Sequence, residues 1–365
     1  MITRAKFENF KALRDVEITF DSRLTVLVGP NGSGKTSVLQ GIHTLGQFAR
    51  RSDLPKRFRV STPRDQGVQW VYGWESEPQT LIDERSLPGS RIEVESQTEE
   101  ITPVLSQYNG RRVDKNNIQH QFSFTHNNKP IHFVHPFLTQ LRSTIHLQLD
   151  PVQLRYPSLP QSITPVTRSD GHGLATTMAH LLRKYPEQFQ AIIESLQRVI
   201  PNIVRIRLDL EEFSTPNRFA DVLIFDFKGA SGVSPISVSD GTMIVLGFLS
   251  IILGPEQPQL ILLDDLDHRL HPKAQMQLVD LLRKLLDQFP NLQIIATSHS
   301  PYILDRLDWN EVRVTALNED GSAMCKPLTD HPDFERWKES MSPGEFWSTF
   351  YEDWLTKSRE PQPVP

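Results

Sequence analysis

The chain has one cysteine, Cys325, in 365 residues. That excludes a disulfide framework and a zinc site built from cysteines of one chain. No uninterrupted apolar run reaches the length of a bilayer crossing. The longest, Met243 to Leu253, is about half of the ~20 residues required and reads as a buried helix. Internal repeats and low-complexity tracts are also missing. There is no basic surplus, because the net charge is −5, so bulk charge makes no case for nucleic acid. A local basic stretch remains, in which Arg50, Arg51, Lys56, Arg57, Arg59 and Arg64 face only Asp53. It reads either as a solvated loop or as a nucleic-acid contact. The first residues alternate like a strand, so no signal peptide is expected there, and the cytoplasm is the expected compartment. With 38% hydrophobic and 23% charged residues, the composition is that of a globular chain able to bury a large core.

Residues 2–20 carry two short strand patterns, and Leu24 to Val28 forms a buried strand that ends in a glycine-rich turn. Ser37 to Phe48 then has helical spacing at Val38, Leu39, Ile42 and Leu45. Between about 51 and 150 the text turns polar and proline-bearing, with short alternating runs such as Arg91 to Glu95 and His120 to Thr125. This predicts an antiparallel β insertion. Pro151 to Pro165 reads as a connecting loop, and Leu174 to Arg198 as helix broken near Pro186. Strand patterns return at Val204 to Leu210 and Val222 to Phe227. The last third alternates helix and strand: Thr242 to Leu253, Leu260 to Leu263, Pro272 to Gln288, Gln293 to Thr297 and Pro301 to Leu307. Lys357 to Pro365 reads as a frayed tail.

Four segments carry chemistry. Gly29-Pro30-Asn31-Gly32-Ser33-Gly34-Lys35-Thr36 fits GxxxxGK[ST] between a strand and a helix, the context that a phosphate-binding loop needs. Its glycines let successive N–H groups turn toward phosphate oxygens. Lys35 reaches the outer phosphates, Thr36 ligates Mg²⁺, and the helix start, with Ser37, adds its positive end. Ile261-Leu262-Leu263-Asp264-Asp265 is an apolar strand that ends in two carboxylates, suited to orienting Mg²⁺ and polarising the attacking water. Ser239-Asp240-Gly241-Thr242 opens an apolar helix and forms an anion-binding N-terminus, although any capped helix has the same look. Thr297-Ser298-His299-Ser300-Pro301 puts a histidine at a strand's C-terminal end, either as a γ-phosphate sensor or as a loop residue.

In this order the four segments resemble the RecF/SMC/OLD branch of ABC-type ATPases. Gly29 to Thr36 corresponds to the Walker A loop, preceded by Phe7-Glu8-Asn9-Phe10-Lys11-Ala12-Leu13, which is similar to the opening these proteins share. Ser239 to Thr242 stands where the ABC signature lies, and Leu262 to Asp265 is similar to Walker B, continued by Leu270-His271-Pro272. Thr297 to Pro301 matches the switch histidine segment. Asp170-Gly171-His172-Gly173-Leu174-Ala175 and Ser342-Pro343-Gly344-Glu345-Phe346-Trp347 resemble segments of the compact members.

The resemblance implies an α/β P-loop NTPase of ABC type, with a mixed sheet core, an antiparallel β insertion and a helical subdomain. The expected divisions are 1–50 and 235–356 for the ATPase core, 51–165 for the β-rich insertion, 166–234 for a helical and strand lobe and 357–365 for the tail. ATP and Mg²⁺ are the implied cofactors. ATP is cradled by Asn31, Gly32, Ser33, Gly34, Lys35, Thr36 and Ser37, and the metal by Thr36 and Asp264. Asp265, His299 and Lys35 are the implied catalytic group. A homodimer is implied, in which Ser239 and Gly241 of one chain serve the nucleotide of the other.

Two departures from the family pattern stand out. Asp265 occupies a position that is usually glutamate, which makes slow hydrolysis an expectation. The Q-loop glutamine is either Gln140 or Gln148. Long heptad arms are missing, and about 60 residues after His299 leave no room for the metal-nuclease domain of OLD proteins. The expected function is a DNA-acting ATPase of repair or anti-phage defence. The alternative is a slow ATP-dependent switch that controls a separate effector such as a nuclease or toxin. A transport ATPase is a third reading, and it requires a membrane partner.

Overall fold

The computed structural model describes residues 1–50, 57–61, 68–75, 91–98, 124–126, 129–131, 136–212 and 218–356. The basic stretch, Arg50 apart, and the 357–365 tail lie outside the described side chains, as does most of the run expected as a strand from His120. In chain order β1 (Arg4–Phe10) and β2 (Leu13–Thr19) lead to β3 (Leu24–Val28) and α1 (Lys35–Arg50). Next come β4 (Arg57–Ser61), β5 (Val68–Glu75), β6 (Arg91–Thr98), β7 (Phe124–His126) and β8 (Lys129–Ile131). They are followed by α2 (Pro136–Arg142), β9 (Thr144–Leu147), α3 (Pro151–Arg155), α4 (Leu174–Lys184) and α5 (Pro186–Val199). A meander of β10 (Ile203–Glu212), β11 (Phe219–Phe227) and β12 (Ala230–Val233) precedes α6 (Asp240–Ile252), β13 (Leu260–Leu263) and α7 (Pro272–Gln288). The chain continues with β14 (Gln293–Thr297), α8 (Pro301–Leu304), β15 (Val312–Leu317) and β16 (Ala323–Pro327), then α9 (Phe334–Trp337), α10 (Pro343–Phe350) and α11 (Asp353–Thr356).

The core sheet runs β16-β15-β3-β14-β13-β9, parallel except for β16. Its strands are short and apolar, and successive side chains serve opposite faces. Leu27, Leu260, Leu262 and Ile295 pack with Val38, Leu39, Ile42 and Leu45 of α1 and with the apolar residues of β1 and β2. Their neighbours Val26, Val28, Ile261, Ile294 and Ala296 face a second core that includes apolar residues of α4, α5, α6 and α7. Helix α1 is thus held between the core sheet and a five-stranded antiparallel sheet, β2-β1-β6-β5-β4. The fold is the mixed α/β P-loop NTPase arrangement implied by the resemblance. Among the described residues no helix is long and apolar enough to cross a membrane.

Three local findings differ from the sequence expectations. First, β9 lies inside the 51–165 range expected as insertion, yet it pairs in parallel with β13 as the edge of the core sheet. A four-residue strand in polar surroundings has no periodic signal to reveal it. Second, Pro151 begins a short helix rather than a loop, because Asp150 caps it by accepting from the Val152 N–H at 2.8 Å, and proline suits the first helical turn. Third, the helix after His299 stops at Leu304, three residues early, because the next N–H groups bond three residues back rather than four, Arg306 to the Ile303 carbonyl (3.1 Å) and Leu307 to that of Leu304 (2.9 Å).

Candidate nucleotide site

Strands β3, β14 and β13 are neighbours in that order, and all three point their C-terminal ends the same way. The loops that follow them therefore meet at one edge of the sheet, where open α/β folds bind ligands. After β3 the backbone turns through Gly29, Gly32 and Gly34, all with positive φ (143°, 82° and 94°). Gly29 also has no space for a side chain, since a Cβ there would stand 2.1 Å from the Thr315 carbonyl oxygen. Asn31 and Gly32 are exposed at the tip, whereas Ser33 is buried with its hydroxyl 2.6 Å from that of Thr315. Ser33 accordingly offers its backbone, not its side chain, to a ligand. Lys35 closes the loop, donating from Nζ to the carbonyls of Gly29 (2.9 Å) and Pro30 (2.8 Å). The first N–H groups of α1, those of Lys35, Thr36 and Ser37, lack intrahelical acceptors by geometry and form the anion-facing end.

Asp264 and Asp265 follow β13. Asp264 Oδ1 accepts from the Thr36 hydroxyl (3.1 Å) and from the Thr297 hydroxyl (2.7 Å). Thr297 Oγ1 in turn accepts from the Asp265 N–H at 2.8 Å. One buried hydroxyl thus fixes both acids. The Asp265 backbone is left-handed (φ 51°), a conformation that short polar side chains tolerate best. Asp267 draws in the next segment by accepting from Ser298 Oγ (2.6 Å) and from the His299 N–H (3.0 Å). Burial lowers the Lys35 pKa below the usual lysine value, and the carboxylates of Asp265, Asp264, Glu352 and Asp267 oppose that shift.

Mg²⁺ needs hard oxygen ligands and keeps several waters. The Thr36 hydroxyl and the Asp264 carboxylate, converging beside the anion-facing helix end, supply such a pair. The residues present therefore fit an Mg–nucleotide, which would bring the charge that neutralises phosphate oxygens.

The register of β9 separates the two candidate glutamines. Leu147 pairs with Leu263, so Gln148 stands level with Asp264, and both line a cavity of about 250 Å³ beside α6. Gln140 lies at the other end of the sheet, buried, with its amide on Gln293 Oε1 (3.2 Å).

Ser239 and Gly241 stand apart from this cluster. Ser239 caps α6 by accepting from the Thr242 N–H (3.3 Å). Asp240 is ion-paired with Arg155 and Arg269, and Arg155 also donates to the carbonyls of Pro235 (3.0 Å) and Val238 (2.7 Å). Gly241 is required by close packing, since a Cβ would fall 2.7 Å from the Arg269 carbonyl oxygen. The helix start is therefore rigidly mounted and carries a partly neutralised acid. Sequence reading passed over Thr297 as a ligand of both acids, and it also missed Asp267, Arg155 and Arg269. Thr297 and Asp267 lie next to recognised motifs, but Arg155 is 85 residues from its partner and leaves no local signal.

The sequence matches the family described as "AAA domain, putative AbiEii toxin, Type IV TA system" over residues 24–305. It is 28% identical over 144 residues to the "Retron Vc95 probable ATPase" of Vibrio cholerae serotype O1 biovar El Tor, covering 36% of this chain and 26% of the relative. It is 38% identical over 69 residues to the Septu protein PtuA of Bacillus thuringiensis, covering 19% and 17%. It is 52% identical over 50 residues to the DNA double-strand break repair Rad50 ATPase of Methanopyrus kandleri, covering 14% and 6%. The matched stretches thus span about a quarter or less of these relatives' lengths. The family match spans Gly29 to Thr36, Asp264 and Asp265, and Thr297 to Pro301, and the chain belongs to this AAA-domain family of P-loop ATPases.

Proposed function

We propose that the chain is a Mg²⁺-dependent ATPase that closes as a homodimer around ATP and acts on DNA, in repair or in anti-phage defence. The observation that carries the nucleotide part is the bond set joining Thr36, Asp264, Thr297 and Asp265 beside the glycine-rich loop. In this reading Lys35 and the N–H groups of residues 31–37 hold the phosphates, and Thr36 and Asp264 hold the metal. Asp265 polarises the attacking water, and His299, steered by Asp267, senses the γ-phosphate. Gln148 faces the same site from the edge strand. Ser239 and Gly241, mounted on the Arg155–Asp240–Arg269 cluster, serve the partner's nucleotide, which explains why their helix start has no bond to its own phosphate loop. Segments 1–50 and 235–356, with β9 added, form the ATPase core. The likeness to a Rad50 ATPase supports the DNA part.

A second reading is favoured by Asp265. Its carboxylate is one methylene shorter than glutamate, so it reaches less far toward a bound phosphate than a glutamate there would. A misplacement of about 1 Å costs roughly 100-fold in rate. The protein would then be a slow switch whose ATP-closed dimer controls a separate effector. ATP turnover measured across protein concentrations, with and without double-stranded DNA, decides between them. A rate per chain that rises with concentration, increases with DNA and vanishes in Lys35→Ala supports the first reading. Binding with almost no turnover under every condition supports the second.

A further inference from the structure

A cavity of about 460 Å³ lies where α5 crosses the β10–β12 meander, and none of its lining residues belongs to the nucleotide loops. Its size is within the roughly 300–1,000 Å³ of small-molecule sites. Its construction begins with a β-bulge. Ile203 pairs with Phe227 and Arg205 with Asp226, so Val204 is the extra residue of β10. The Gln197 amide of α5 donates to the carbonyls of Ile203 (3.2 Å) and Val204 (3.1 Å), which joins the helix to the bulge. The walls are apolar. Phe189 and Ile193, one turn apart on α5, line the cavity together with Ile206 and Phe227 of the sheet.

The rim is charged. Arg205 stands there beside Asp226, whose side chain is buried. Asp226 Oδ2 accepts from Arg205 Nε (3.1 Å) and Nη2 (2.9 Å) and from Arg207 Nε (3.0 Å). Its Oδ1 accepts from Arg207 Nη2 (2.9 Å) and from the Gly232 N–H (2.9 Å). Arg207, then Gly232 and Arg205, hold this carboxyl well below the usual carboxylate range, so it is ionised. These bonds use up the roughly four lone-pair sites of the carboxylate. One guanidinium would balance its charge, and the second leaves a net positive charge fixed at the cavity's edge. Among the described residues Arg205 Nη1 has no partner, and neither has the hydroxyl of Ser231, which lines the same cavity.

We propose that this cavity binds a small organic anion, with its carboxylate, phosphate or sulfonate group on Arg205 Nη1 and the Ser231 hydroxyl and its apolar or aromatic body against Phe189, Ile193, Ile206 and Phe227. Asp226 already holds the guanidinium in place, so a ligand that takes its outer nitrogen costs little further ordering of the side chain. The site needs both halves of the ligand, charge at the rim and apolar surface within. It does not depend on the nucleotide-site reading above.

The test is a ligand-detected NMR titration with naphthalene-2-sulfonate, with 2-naphthol as the body without the charge and sulfate as the charge without the body. At ordinary ligand efficiency a compound of this size binds with a Kd of about 1 mM or tighter. Each half alone is expected to bind about 10-fold more weakly or worse. Arg205→Gln should weaken the sulfonate by about 10-fold, while Arg207 and Gly232 still hold Asp226. Val204→Trp, placed at the exposed rim, should fill the cavity and abolish binding without touching the buried core. Lys35→Ala should bind as wild type does, because the phosphate loop takes no part. Melting temperatures verify that each variant is folded. Wild-type affinity in folded Arg205→Gln or folded Val204→Trp overturns the proposal, as does 2-naphthol binding as tightly as the sulfonate. No saturation of wild type by about 10 mM overturns it too, since that lies well beyond the expected Kd. Loss of binding in Lys35→Ala would put the probe on the phosphate loop and would equally overturn it.

Discussion

Changing Thr297 to valine keeps the shape of a fully buried side chain and removes only its hydroxyl. That hydroxyl accepts from the Asp265 N–H and donates to Asp264 Oδ1. Its loss leaves a backbone donor without its partner, at about 1–3 kcal/mol, and removes a bond to a charged acceptor worth roughly 1.5–3 kcal/mol. Asp264 keeps its bond from Thr36, which softens the second loss, so a net destabilisation of about 2–4 kcal/mol is expected. In a chain of this size that lowers the melting temperature by several degrees. The effect on chemistry is larger. Asp265 holds a strained left-handed backbone with Thr297 as its anchor, and a shift of about 1 Å in its carboxylate costs roughly 100-fold in rate. Thr297→Val should therefore lower steady-state ATP turnover by about 10- to 100-fold at temperatures where it remains folded. Thr297→Ser, which keeps the hydroxyl, should stay near wild type. A folded valine variant with turnover close to wild type would refute the idea that this hydroxyl aligns both acids.

Two further outcomes follow from the same geometry. Gln148→Ala should lower ATP turnover with little effect on stability, and Gln140→Ala should do the reverse, because only Gln148 faces Asp264 while Gln140 bonds Gln293 in the core; turnover and urea unfolding of the pair check this, and equal effects would contradict it. Burial holds the His43 ring down to about 4, helped by His146, whose ring centroid lies 5.5 Å away, and by Arg50. Burial lowers the His146 pKa as well. An unfolded histidine titrates near 6.5, so between the two values the unfolded chain binds more protons than the folded one. Stability is then full above that range and falls as pH drops through it. The urea midpoint should decline from neutral pH to about pH 5, with a shallower decline in His43→Gln; a midpoint that does not move would contradict the assignment.

The glycine-rich loop was legible as a local structure because it is contiguous, with strand, glycines, lysine, threonine and helix all within Leu24 to Arg50. The acids after β13 and the histidine after β14 were legible for the same reason, each directly following an apolar strand. Where function depends on register, sequence left alternatives open. Gln140 and Gln148 are both plausible by distance along the chain, and only the pairing of β9 with β13 puts one of them level with Asp264. Long-range partners gave no signal at all. Asp240 is held by Arg155 and Arg269 across separations that no periodic pattern records. The 51–165 division was drawn from composition, which registers a polar stretch but not a four-residue edge strand inside it. The Ser342 motif was visible as a motif, yet its partner Asp305 and the turn at Tyr351 were not.

The central claim is that one chain completes the other's nucleotide site, and a mixing experiment tests it most directly. Lys35→Ala retains a sound Ser239 helix start, and Ser239→Arg retains a sound phosphate loop. Each variant alone should turn over almost no ATP. Mixed in equal amounts, half of the dimers pair one of each, and each such pair has one complete site. Turnover should then recover to about a quarter of wild type, each site contributing its own transition-state stabilisation. No recovery at any mixing ratio, with both variants folded and dimerising, would contradict the account.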